Sequence, residues 1–77
     1  MSVKRELFHA TNDAASAAAR RRVVERGLER KLRFRNIFYP EVQADFTARG
    51  GRTLPALWDG EKLIEGEAAV LAELDKL

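Results

Sequence analysis

A chain of 77 residues folds as one domain, residues 1–77, because so short a polypeptide buries only about 60% of its unfolded surface and cannot share that burial between two cores. A hydrophobic content of 45% against 34% charged excludes a disordered tail, and no segment approaches the roughly 20 apolar residues of a membrane span. Zero cysteines exclude disulfides, thiolate metal sites and all thiol redox chemistry, and one histidine among scattered carboxylates makes no metal-ligand cluster.

The start, Met1 to Glu6, has no apolar stretch of the signal-peptide kind, so the expected location is cytoplasmic and no membrane partner is expected. The net charge of +2 hides a segregation. Eight basic residues lie between Arg20 and Arg35 against Glu25 and Glu29, whereas residues 59–77 hold six acidic residues against Lys62 and Lys76. The basic segment suits nucleic acid or an acidic partner; equally, the two segments suit each other, within one molecule or across a homodimer.

Val3 to Ala10, with Val3, Leu7 and Phe8, reads as a first strand. Thr11, Asn12 and Asp13 are all N-cap residues, and the alanine-rich run behind them predicts a helix from Asp13 to Arg26 ended by Gly27. From Lys31 to Phe38, Leu32 and Phe34 alternate with Arg33 and Arg35, the pattern of a strand covered on one face. Tyr39-Pro40 breaks it, and a short helix follows with Val42 and Phe46 on its apolar side and Gly50-Gly51 at its end. Leu54 to Trp58 and Lys62 to Ile64 flank Asp59-Gly60, the expected two-residue turn of a hairpin. Val70, Leu71, Leu74 and Leu77 then recur at helical spacing behind Glu67. The order is β-α-β-α-β-β-α. It predicts a mixed four-stranded α/β sheet with helices on both faces, its first two strands parallel through a right-handed crossover.

That order, together with Arg52-Thr53-Leu54-Pro55 and the acidic, leucine-rich last helix, resembles the thioredoxin-like fold, specifically glutaredoxins and the N-terminal domain of glutathione transferases. The resemblance implies that Pro55 is the cis-proline of the family and that Leu54 before it presents its main chain to a thiol ligand or an extended peptide. It also implies a ligand-carboxylate position at Gly66-Glu67. Where glutaredoxins carry their cysteines, this chain has Asn12-Asp13-Ala14-Ala15, so thiol–disulfide exchange is excluded. The Glu67 carboxylate would repel the γ-glutamyl carboxylate of glutathione, although the helix N-terminus remains an anion site.

The expected function is therefore a redox-inactive thioredoxin-fold binding or assembly module. Its groove would lie beside Pro55, formed by Thr53, Leu54, Pro55, Gly66, Glu67, Thr11, Asn12 and Asp13, and its partner would be a protein or a second copy. No cofactor is expected, glutathione being the one candidate. The competing reading is a cysteine-free glutathione-dependent transferase using Thr11 or Asn12 to hold a thiolate; nucleic-acid binding through Arg20 to Arg35 is a third. His9 is a candidate for proton transfer, with Asp13 as its orienting partner, against the plainer role of a hydrogen-bonded residue at a strand end. Phe38 and Trp58 are either interface anchors or core.

Overall fold

The computed structural model describes residues 4–77. Strand β1 spans Arg5–His9; the part of the expected first strand at Val3 lies outside the described residues. Helix α1 (Ala14–Glu25) starts where Asp13 caps it, the carboxylate accepting from Ser16 N–H at 2.9 Å. It stops in a Schellman arrangement: Gly27 N–H donates to Val24 C=O and Leu28 N–H to Val23 C=O, which folds the Leu28 side chain back onto Val23 in the core. Strand β2 (Leu32–Asn36) leads into α2 (Pro40–Ala48), with Pro40 in the first turn, where its missing N–H costs no helical bond. Strands β3 (Ala56–Trp58) and β4 (Leu63–Glu65) form the hairpin, and α3 (Glu67–Leu74) closes the chain. The element order is the expected one.

The sheet runs β2-β1-β3-β4, with β1 parallel to β2 and antiparallel to β3, and β3 antiparallel to β4. Because successive side chains in a strand point to opposite faces, Leu7, Leu32 and Leu57 fall on one side and Phe8 and Ala56 on the other. The first set packs with Ala19 and Val23 of α1 and Val70 and Leu74 of α3. The second packs with Val42 and Phe46 of α2, where the Phe8 and Phe46 rings lie 5.2 Å apart. Helices thus cover both faces, two on one and one on the other.

Two expectations need correction. The alternation in β2 is present, but its burial differs from the reading: Leu32 is buried while Phe34 is 39% exposed, and Arg35, expected at the surface, is buried at 7%. The physical reason is that β2 is an edge strand whose second face lies under α2, where Arg35 finds two carboxylates. The hairpin turn is also displaced by one residue. Trp58 pairs with Leu63 and Asp59 N–H donates to Lys62 C=O, so the central residues are Gly60 and Glu61, not Asp59 and Gly60. Gly60 supplies the required positive φ of 104°, and the Asp59 carboxylate instead accepts from the Glu61 and Lys62 N–H groups.

Candidate functional site

Strand direction gathers the sequence-derived site residues at one end of the sheet. The parallel strands β1 and β2 and the hairpin strand β4 all end there, β3 begins there, and all three helices start there. Continuing the β1–β3 register beyond Phe8 and Ala56 sets Ala10 beside Leu54. The Leu54–Pro55 peptide is cis. Its loop is tied to the β4–α3 junction: Gly66 N–H donates to Pro55 C=O at 2.9 Å, and one Glu65 carboxylate oxygen accepts from both Arg52 and Thr53 N–H at 2.7 Å. With Thr53 N–H thus occupied, the Leu54 N–H and C=O make no hydrogen bond among the described residues, while the Leu54 side chain packs on the Phe8 cluster. Gly66 caps α3 with its main chain alone, and Glu67 is exposed in the first turn.

Thr11 and Asn12 are exposed and line a hollow of about 250 Å³ together with Asn36, Ile37 and Phe38. Thr53, Leu54, Pro55, Gly66 and Glu67 do not line it, so the two halves of the expected groove share a sheet end while the hollow itself opens towards β2. Phe38, 77% exposed, and Tyr39 rise beside it with their rings edge to face at 6.1 Å. Trp58 is half-buried on the Phe8 cluster, with the Arg49 guanidinium 4.6 Å above its ring. Of the two aromatic candidates, Phe38 is the exposed one and Trp58 packs, partly buried, against the core.

Asp13 is engaged as a cap. Besides accepting from Ser16 N–H, its carboxylate accepts from the Ser16 hydroxyl at 2.8 Å, and these two bonds hold its pKa below the ordinary carboxylate value. The buried Ser16 hydroxyl oxygen in turn accepts from Ala10 N–H at 3.1 Å. Asp13 therefore does not orient His9. His9, 6% exposed, has Nδ1 3.1 Å from Arg20 Nη1, and the same guanidinium nitrogen donates to Ala10 C=O at 2.9 Å. Because a guanidinium only donates, Nδ1 is the acceptor and the ring proton resides on Nε2. Burial first, and the Arg20 charge second, lower the His9 pKa, so the imidazole is neutral near pH 7. Its ring meets Phe34 edge-on at 5.5 Å.

Four of the eight basic residues between Arg20 and Arg35 are engaged within the molecule. Arg20 holds His9 and Ala10, Arg22 donates to both Asp75 oxygens at 2.7 Å, Arg26 reaches the C-terminal turn of the last helix, and Arg35 pairs with Glu6 and Asp45. That last cluster was not legible in the sequence. Glu6 also binds Arg49 at 2.7 Å, and both guanidiniums lie about 5.5 Å from the Phe8 ring centre, at 5.4 and 5.5 Å. A glutamate beside the most apolar residues of β1 was the one available hint. Among the described residues no three His, Asp or Glu side chains are grouped to hold a metal ion, and no helix is long and apolar enough to cross a membrane. Neither a protein-family model nor a curated protein matches the chain.

Proposed function

We propose that this chain is a redox-inactive thioredoxin-fold module that binds a protein segment or a thiol ligand along the loop Thr53-Leu54-Pro55. One observation carries the reading: among the described residues Leu54 holds an unpaired main-chain donor and acceptor, on a loop fixed at both flanks, by Glu65 before it and by Gly66 after it. An extended ligand laid beside Leu54 pairs with those groups as an added strand would. The element order and the sheet order β2-β1-β3-β4 support the thioredoxin-like assignment. With no cysteine in the chain, the groove binds without exchanging disulfides. Exposed Thr11, Asn12 and Phe38 extend the surface on the β2 side, and Glu67 opposes a ligand carboxylate at the start of α3.

The test is a titration of the isotope-labelled protein with reduced glutathione, read at the Leu54, Ala56 and Glu67 amides, alongside photo-crosslinking from position 53 in a cell extract. Localised shifts at those amides support a thiol ligand, and if Thr11 and Asn12 respond with them the transferase reading gains. A protein crosslinked from position 53 but not from Gln43, on exposed α2, supports a macromolecular partner. Silence in both experiments overturns the proposal.

A further inference from the structure

The outer edge of β2 is a second surface, independent of the prolyl loop. Ile37 N–H donates to His9 C=O at 2.8 Å, which fixes the direction of the β2 main chain. By the two-residue alternation of a strand, Arg33 and Arg35 turn their N–H and C=O groups towards β1. The N–H and C=O of Leu32 and Phe34, and the N–H of Asn36, therefore face outward. The Asn36 C=O is already used, accepting from Tyr39 N–H. Nothing among the described residues pairs with this edge, since the sheet order ends at β2. Such an unpaired row is a template for another strand unless the protein blunts it. Here a hollow of about 320 Å³ runs along it, with Arg33, Phe34, Asn36 and Tyr39 in its lining.

The charges choose the occupant. Neither Lys31 nor Arg33 has an ion-pair partner among the described residues. In a two-fold antiparallel pairing of this edge with a second copy, centring on Leu32 sets Lys31 against Arg33. Centring on Arg33 sets that residue against itself, and centring on Phe34 sets Arg33 against Arg35. Each of the registers centred within Leu32 to Phe34 sets basic residues against one another across the pair, which destabilises it. An incoming strand with carboxylates at those positions meets the reverse situation, and its main chain meets the same free groups. Glu41, at the start of α2, is the one acidic residue lining the hollow and marks its Asn36 end as the place for a neutral or basic residue.

We infer that the β2 edge takes up an extended acidic segment of a partner protein, its carboxylates opposite Lys31 and Arg33 and its intervening apolar side chains beside Phe34 and Tyr39. Main-chain pairing supplies the affinity and the charge alternation supplies the selectivity.

The probe is the capped peptide acetyl-Glu-Val-Glu-Val-Glu-Val-amide, titrated into the labelled full chain by NMR. Three controls accompany it: the Lys-for-Glu peptide, the acidic peptide N-methylated at alternate residues, and the Arg33→Glu protein. Shifts and slowed exchange at the Leu32, Phe34 and Asn36 amides are expected with the acidic peptide alone. Arg33→Glu should weaken that binding by at least about tenfold and reverse the preference towards the lysine peptide. Arg33 is exposed and unpaired, so this variant keeps its fold, which the unchanged spectrum of the α3 face verifies. Three outcomes of the peptide titrations would overturn the inference: no response at millimolar peptide, equal response to both charges, or undiminished binding of the N-methylated peptide. Concentration-dependent broadening of the edge amides without any peptide would overturn it in favour of a second copy.

Discussion

Replacing Glu6 by glutamine isolates the buried charge cluster under α2. The Arg35 side chain is 8% exposed and the Glu6 side chain 14%, and Arg35 reaches both Glu6 and Asp45. Burial works against the Arg35 charge, yet the bonds to Asp45 and Glu6 outweigh it and hold the pKa above its ordinary value. Glutamine keeps the shape of Glu6 and removes the charge. Breaking a buried ion pair costs about 3–5 kcal/mol when the partner is stranded. Here Arg35 keeps Asp45, which is half in water, and Arg49 at 25% exposure regains solvent, so the expected cost is lower, about 2–3 kcal/mol. A domain of this size is stable by only about 4–12 kcal/mol, so the loss should lower the thermal midpoint by about 10–20 °C. Urea unfolding followed by Trp58 fluorescence measures it, since Arg49 stacks on that ring only in the folded state. The double change Glu6→Leu with Arg35→Met substitutes apolar groups for the pair and should recover most of the loss. A Glu6→Gln cost below about 0.5 kcal/mol, or a double variant less stable than the single one, would refute the account of a stranded charge.

Other expectations follow from the same contacts. Burial and the Arg20 charge hold the folded-state pKa of His9 below its ordinary 6.5, so its contribution is fully present above 6.5 and is lost as pH falls from there through the lowered folded-state value. The carboxylates with lowered pKa, Asp13, Asp45 and Asp59, contribute stability that is present above their ordinary 3.8 and is lost only as pH falls below it, outside this window. Between pH 7 and 5 stability should therefore fall by at most about 1.4 kcal/mol per unit, and His9→Gln should flatten that slope; an equal slope in both proteins excludes the histidine as its source. Ser16→Ala removes the acceptor of the Ala10 N–H and should cost about 1–2 kcal/mol by urea unfolding, a neutral result showing that water replaces the hydroxyl. Gly51→Ala drives a Cβ to 2.3 Å from the buried Phe46 ring and should cost about 1–3 kcal/mol, with amide shifts along α2; an unperturbed α2 spectrum would contradict the close approach.

Much of the architecture was legible because its signals are local. A cap needs only Asp13 and the N–H of Ser16, three residues away, and a helix face needs only the spacing of Val42 and Phe46 or of Val70 and Leu74. Strand count, helix count and element order follow from such short-range patterns, as does the exclusion of thiol chemistry by composition alone. The expected groove residues share one end of the sheet because chain direction through the strand-helix units sets where loops fall. Strand order was different in kind. That β2 lies at an edge is a relation between elements far apart in the chain, so alternation in Leu32 to Arg35 could not say that Phe34 would face solvent or that Arg35 would be covered by α2. Only tertiary packing brings Glu6, Arg35, Asp45 and Arg49 around the Phe8 ring, turns Arg22 onto Asp75 across 53 residues, and pairs His9 with Arg20 instead of Asp13. The sequence determined what each segment would become; the desolvation of charges between segments, which depends on three-dimensional proximity, decided which of its polar residues remained for a partner.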